Sequence, residues 1–458
     1  MDGKKIEDVI ATGVAPETVP ASVLGTNAPS NRITLVGVGL GGIGFKQTQE
    51  ARAAGFEVTA LCDLDWDYAQ RTFDLFPDAR RYKDYREMLR VEGDRADAVY
   101  CGCPDHWHTL IALAALAAKK HVCCVKPLTR KVDECRAVVA AARAAGTATQ
   151  VTACSSNDEA SVRLYEILDA GLLGEVYDVA AWSRRPVWPQ GMADLPDWED
   201  PVPDGFDWDM WIGPAKKVPF ASKWGKHAPY GKLSKEAWRG DAVYHPFNFR
   251  GWFEYGAGAL GDMGCHRANT IYRALGLAWP KRVEASSSRV SEVAFPLSSI
   301  VTYDYATCKY GYPVRLTWFD GGLLPSTPKS AGAYRLPQEG ALYYGTKGVV
   351  LFDTTNPLDC KLVFFDPNLE AKVAALPKTH PRREGGIWGE WLQACKGGEP
   401  ASCNFDFAQY VTEFVQLGNL ALQTQTPVEF DPVAMKVTND NEAADKLLHS
   451  HYENGWEF

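Results

Sequence analysis

The residues with the most chemical content sit at two widely separated places in the chain. Gly37-Val38-Gly39-Leu40-Gly41-Gly42 spells GxGxxG directly after the apolar run Ile33 to Val36 and just ahead of a helical segment starting near Ile43. In such a turn Gly37 bends the chain, Gly39 brings bare backbone up to a pyrophosphate and Gly42 packs helix on strand, with the helix N-terminus facing the phosphates. Asp63 lies 21 residues beyond Gly42, at the end of the run Val58 to Cys62. A carboxylate there accepts hydrogen bonds from adenosine ribose hydroxyls and repels a 2′-phosphate, so NAD is expected in preference to NADP. Cys103-Pro104-Asp105-His106 follows a third strand-like run and Lys126-Pro127 a fourth, at the carboxyl edge where ligands of open parallel sheets lie. A residue before proline is biased to extended backbone, which projects Lys126 from that edge toward the nicotinamide. Far downstream, Asp262 and His266 stand four apart where a helical pattern begins, which puts them on one face. The residues alone fit two accounts of that pair: a helix cap beside a core histidine, or a carboxylate and a base working together.

The elements that must position these groups read as α/β. Ile33 to Val36, Val58 to Cys62, Ala98 to Cys101 and His121 to Val125 are strand-like and each leads into or follows a helical pattern, which means parallel βαβ units. Asp133 to Ala145 is an Ala-rich helix stopped by Gly146, and Ala148 to Ala153 resumes extended character. The expected divisions are an N-terminal arm at 1–30, a Rossmann domain with a parallel sheet at 31–152, and a substrate and dimerisation domain at 153–458. The last begins with a helix from Glu159 to Ala170. A Trp/Pro/Gly-rich stretch from Trp182 to Trp252 then holds 8 of the 15 tryptophans. Beyond it, Lys281 to Val290, Ser299 to Tyr305, Val314 to Phe319, Ala341 to Tyr344, Val349 to Phe352 and Lys361 to Phe365 are spaced too closely for crossover helices, predicting a large, mostly antiparallel open sheet. Helices return at Ile387 to Lys396, Phe407 to Gln423 and Asn441 to Tyr452.

Composition removes several function classes. The chain has 458 residues, 46% hydrophobic and 23% charged, with Lys plus Arg at 48 against Asp plus Glu at 57 and a net charge of −9. That is ordinary globular composition with no general attraction to nucleic acid or anionic lipid. The longest uncharged apolar run, Thr109 to Ala118, is well short of the roughly 18 residues a membrane span needs. Of the 12 cysteines, Cys62, Cys101, Cys103, Cys123 and Cys124 fall in apolar strand-like runs and read as small core side chains, and no zinc-type spacing is present, so no metal is expected.

At Pro104-Asp105-His106-Trp107-His108, His121-Val122 and Lys126-Pro127-Leu128-Thr129 the sequence resembles the Gfo/Idh/MocA family, named for glucose-fructose oxidoreductase and inositol dehydrogenase. Arg250-Gly251-Trp252 with Gly256 to His266 is similar to the G-x-L-x-D-x-G-x-H pattern of that family's catalytic segment, and Trp208 to Pro214, Tyr344 to Gly348 and Trp391 to Gly398 match further. The chain departs from the pattern in carrying Val125 where relatives have Glu, Asn269 where many have Asp, and Ala153-Cys154-Ser155-Ser156 in place of a Gln-Arg-Arg stretch. The resemblance implies hydride transfer between a sugar or polyol hydroxyl and NAD. His266 would take the hydroxyl proton, Lys126 would stabilise charge on oxygen and lower the histidine's proton affinity, and Asp262 would orient the imidazole. It also adds Ile43, Cys103, Pro104, His106 and His108 to the cofactor site. For a sugar ring, flat aromatic faces beside forked donors point to Trp182, Arg184, Trp188, His245 and Arg250. Two alternatives stand beside this reading: an NAD-dependent glycosidase working by transient oxidation, elimination, hydration and re-reduction, and a non-enzymatic nucleotide-bound carbohydrate-binding protein. A homo-oligomer, dimer or tetramer, is expected. Val19 to Gly25 followed by Ala28-Pro29-Ser30 resembles the stretch after a twin-arginine signal, pointing to the periplasm, with the cytoplasm as the alternative.

Overall fold

The computed structural model describes residues 32–153, 157–227, 241–288 and 291–458. The arm expected at 1–30 and the departures at Cys154, Ser155 and Ser156 lie outside the described residues. The first part alternates strand and helix: β1 (Ile33–Val38), α1 (Ile43–Ala54), β2 (Phe56–Cys62), α2 (Trp66–Leu75), β3 (Arg80–Tyr82), α3 (Tyr85–Glu92), β4 (Ala98–Cys101), α4 (His108–Ala117), β5 (His121–Val125), α5 (Val132–Ala145) and β6 (Thr149–Thr152). Its six strands are parallel in the order β3-β2-β1-β4-β5-β6. β4 is buried at every position and β5 at all but its first. Continuous apolar runs, rather than alternation, are what a sheet covered on both faces demands. Gly146 ends α5 at φ 67, the left-handed position where a side chain is disfavoured.

The second part comprises α6 (Glu159–Asp169), β7 (Val176–Ser183), α7 (Trp208–Ile212), a π-helical turn at Leu260–Gly264 running into α8 (Cys265–Leu275), β8 (Arg282–Ser287), β9 (Ser299–Tyr305), β10 (Val314–Phe319), β11 (Glu339–Gly345), β12 (Gly348–Asp353), β13 (Lys361–Phe364), α9 (Pro367–Ala375), α10 (Gly386–Cys395), α11 (Phe405–Thr424), β14 (Val428–Asp431), β15 (Lys436–Val437) and α12 (Glu442–Leu447). Nine strands form one mixed sheet in the order β13-β12-β11-β7-β10-β9-β8-β14-β15, in which only β7 and β10 run parallel. Along β9 burial alternates, with Val301, Tyr303 and Tyr305 turned onto the core that α6, α8 and α11 build. β7, at the centre of this sheet, was not anticipated as a strand. The helix expected over Asn441 to Tyr452 shortens to α12.

The boundary at 152/153 does not separate two self-contained cores. Trp391 of α10 stacks on Phe56 of β2 at 4.8 Å and Trp388 meets Tyr100 of β4 edge-on at 5.6 Å. Cys403, Phe405 and Ala408 join the core of the parallel sheet. The Rossmann layer is therefore closed by residues from the far end of the chain. The tryptophan-rich stretch builds a core of its own, in which Trp208 stacks on Trp211 at 4.7 Å and Trp224 on Trp252 at 6.0 Å. None of the described cysteines is in a disulfide, and all but Cys103 and Cys360 of these are buried. Among the described residues no helix is long and apolar enough to cross a membrane.

Candidate active site

A cavity of about 880 Å³ runs from the glycine turn to the start of α8, near the top of the roughly 300–1,000 Å³ range of cofactor and small-molecule sites. At one end, Gly39, Gly42 and Ile43 line it. Gly39 has φ +78, and a Cβ there would fall 2.5 Å from Cys103 N, so the glycine is needed where the turn crosses the 102–103 backbone. A Cβ at Gly42 would meet the Tyr68 hydroxyl at 2.9 Å, whereas the tight helix to strand approach expected of Gly42 belongs to Gly44, whose Cβ would lie 2.1 Å from Gly39 O. Gly37 packs under Leu40 and Leu61 and does not face the cavity.

Asp63 sits beyond β2 as the ribose reading requires. Leu40 N donates to its Oδ2 at 2.6 Å and Asp65 N to its Oδ1 at 2.9 Å, which fixes the carboxylate and leaves each oxygen a second lone pair. Burial pushes its pKa up against those two amides. Asp65, which sequence reasoning passed over, caps α2 through Tyr68 N and takes His245 Nε2 at 3.0 Å, with its own carboxyl held low chiefly by that contact against burial. His245 thus closes over the Asp63 end of the cavity and away from the place expected for a sugar.

At the other end, Lys126 Nζ donates to Asp262 Oδ1 at 2.6 Å, and Arg250 Nε donates to the same oxygen at 3.0 Å. Lys126, Asp262, Arg250 and His266 all line the cavity. Helix α11 holds both partners in place. Thr412 Oγ1 accepts from Leu128 N and Gln416 Nε2 donates to Thr129 O behind Lys126, while Asn419 Nδ2 donates to Ala257 O ahead of the π-helical turn. That turn carries Asp262, a placement frequent at functional sites because it re-aims side chains within a helix. Burial opposes charge on Asp262, but Lys126 and Arg250 overcome it and hold the carboxyl far below the usual carboxylate range. Two cations thus share one oxygen of Asp262, which fixes where Lys126 points. Burial first, then Lys126 and Arg267, push His266 down to about 3, which keeps its imidazole neutral at neutral pH.

Several expected contacts change character. His106 is buried, with Nε2 against Trp211 O at 2.9 Å and Nδ1 against Tyr255 O at 3.3 Å. His108 is buried with Nδ1 against Pro127 O at 2.8 Å and Nε2 against Cys103 O at 2.9 Å. Neither lines the cavity; they brace the loops that carry Cys103, Pro104 and Lys126, which do. Trp182 and Trp188 are 0% exposed, their indole N–H groups bound to Pro337 O and Gln190 Oε1, so they make no substrate contact. Arg184 points to solvent, and its neighbour Arg185 lines the cavity instead. Cys101, His108 and Cys124 lie within 4.8 Å of one another, but both nitrogens of His108 already face carbonyl oxygens, which removes it as a third metal ligand.

The glycine turn, Asp63 and the parallel sheet decide the first domain. Residues 32–153 match an oxidoreductase family, GFO_IDH_MocA, with an NAD-binding Rossmann fold. Inositol 2-dehydrogenase of Salmonella paratyphi B is 29% identical over 143 residues, 31% of this chain and 42% of that enzyme. Inositol 2-dehydrogenase of Rhodococcus erythropolis is 32% identical over 161 residues, 35% and 46% respectively. The chain thus spans about half the length, or less, of the curated relatives it matches. Over the whole fold it is similar to the WlbA dehydrogenase from Bordetella pertussis in complex with NADH and UDP-GlcNAcA, with TM-score 0.57 and 14% identity, covering 87% of this chain and 99% of that one. The aldose-aldose oxidoreductase from Caulobacter crescentus gives 0.56 and 16%, covering 87% and 100%. The second domain shares their architecture.

Proposed function

We propose that this chain is an NAD-dependent oxidoreductase of the Gfo/Idh/MocA kind acting on a sugar or sugar-like polyol. The observation that carries the reading is the meeting of Lys126 and Asp262, 136 residues apart in sequence, at 2.6 Å on the wall of the cavity that starts at the glycine turn. The donor set fits NAD: a turn stripped of side chains and a fixed carboxylate at the ribose position. When bound, NAD accepts or returns the hydride. For oxidation, neutral His266 takes the hydroxyl proton while the carbinol hydrogen leaves as hydride, so an alcohol and the oxidised cofactor become a ketone, the reduced cofactor and a proton. Lys126, aimed by Asp262, donates to the developing oxyanion.

The chain is also read as a homo-oligomer exported to the periplasm, both open to direct measurement. The function is tested by denaturing the purified protein, identifying the released nucleotide, and screening the native protein for NADH formation against sugars, polyols and aryl glycosides. NADH formation that is abolished in His266→Ala supports the reading. Aglycone release with no net cofactor change, or turnover untouched in that variant, contradicts it.

A further inference from the structure

Two carboxylates on the cavity wall find partners within the protein. Asp63 takes Leu40 N and Asp65 N, and Asp262 takes Lys126 and Arg250. A third, Asp105, does not. It lines the cavity and is 8% exposed, yet no described hydrogen bond or ion pair uses its carboxylate. Neither oxygen is sealed in the packed interior, so the group opens onto the cavity. Asp105 begins the 3-10 turn Asp105–Trp107 that leads into α4. An acid at a helix start is ordinary where water solvates it, but a side chain this buried normally has a hydrogen-bond partner. Burial pushes its carboxyl up, against His108, Arg250 and Lys126. Arg250, Lys126 and Asp262 all act on it, which places it at the reacting end rather than beside Asp63. At that end Lys126 and Arg250 present donors, and Asp105 presents an acceptor.

We propose that Asp105 is a substrate-binding residue whose carboxylate accepts a hydrogen bond from a ring hydroxyl of the sugar or polyol, one other than the hydroxyl that is oxidised. A hydroxyl fits better than an ammonium group, because Lys126 and Arg250 line the same end and repel a cation. Ionised or protonated, the carboxyl keeps an oxygen free to accept. A buried acceptor also discriminates: a ligand without the matching hydroxyl leaves it unpaired. Asp105 thereby becomes a specificity-determining contact of the reading above, on which the identity of the ligand as a sugar or polyol rests.

The test titrates the NADH-loaded protein by calorimetry with D-glucose, D-galactose and myo-inositol, then with the monodeoxy derivatives of whichever binds most tightly, in wild type, Asp105→Ala and Asp105→Asn. Bound nucleotide is the folding control. In wild type one deoxy derivative binds at least about tenfold more weakly than its parent. In Asp105→Ala parent and derivative bind alike, at the weaker level, a coupling that a merely structural role does not produce. Asp105→Asn, which keeps one acceptor oxygen, falls between. Binding of none of the three compounds, a parent that loses no affinity in Asp105→Ala, or a deoxy penalty that persists there overturns the inference. Displacement of bound NADH by ADP and by ADP-ribose, which differ by the second ribose, gives a further arm. If Asp105→Ala removes only the advantage of ADP-ribose, the contact belongs to the cofactor and the inference is overturned. The coupled loss with no NADH formed from any sugar leaves the contact standing and rejects the oxidoreductase reading. NADH formation with a KM unchanged in Asp105→Ala does the reverse.

Discussion

Replacing Lys126 with methionine keeps an apolar stem of similar length and deletes the ammonium 2.6 Å from Asp262 Oδ1. Asp262 retains Arg250 Nε at 3.0 Å, so its carboxylate is not orphaned, and the ~3–5 kcal/mol cost of breaking a buried pair outright is not expected. The catalytic loss is that of one aimed donor in a dry site, about 10²–10³ in kcat, or ~2.7–4 kcal/mol. A second consequence separates this from a loosened fold. Lys126 is the second cause, after burial, that holds His266 down to about 3. Without it the imidazole gains a proton more readily, and the acid limb of the residual kcat/KM profile moves toward neutral pH. The assay is NADH formation across the acid range in wild type and Lys126→Met, with bound nucleotide as the folding control. A kcat within about threefold of wild type would exclude Lys126 as an oxyanion donor. A large loss with an unmoved acid limb would refute the electrostatic link between Lys126 and His266.

Further outcomes are expected elsewhere in the molecule. Gly39→Ala forces a side chain at φ +78 into Cys103 N at 2.5 Å; because the obstacle is backbone, nucleotide content falls sharply, as mass spectrometry of the denatured protein reads. Asp63→Ser removes the acid held by Leu40 N and Asp65 N, and the ratio of NADP to NAD use rises. His106 is buried with its pKa pushed down to about 3, chiefly by burial. Its unfolded form binds a proton near pH 6.5, so stability is full above that value and falls as pH drops, by about 1.4 kcal/mol per pH unit from this residue; urea unfolding in wild type and His106→Gln shows the difference in slope.

The reading of β1, the glycine turn and α1 succeeded because local rules dictate that unit: an apolar run, glycines at fixed offsets and a helix start lie within about twenty consecutive residues. β7 escaped because its Val-Tyr-Asp-Val-Ala-Ala-Trp-Ser is buried on both faces from Val179 to Ser183 and so shows little alternation. Arg184 and Arg185 differ by parity: near a strand end successive side chains leave on opposite faces, and no composition rule says which one finds the cavity. Trp182 and Trp188 misled because an aromatic ring suits a sugar and a core equally well; only the partners of their N–H groups decide. His245 is 180 residues from the aspartate it meets. A signal for that pair was present, since Asp65 follows Asp63 by two residues and sits at a helix start, but its partner could be found only in three dimensions. The same holds for α10, whose tryptophans cover a sheet encoded more than 250 residues earlier.

In the proposed function Lys126 and His266, from the two halves of the chain, act on one bound dinucleotide. A crystal structure of the protein with NAD tests it most directly. The pyrophosphate is expected against the backbone of Gly39 to Ile43, the adenosine ribose on Asp63, and the nicotinamide ring facing both Lys126 Nζ and the His266 imidazole. A dinucleotide whose nicotinamide points away from that pair, or a cavity that stays without nucleotide at saturating NAD, would contradict it.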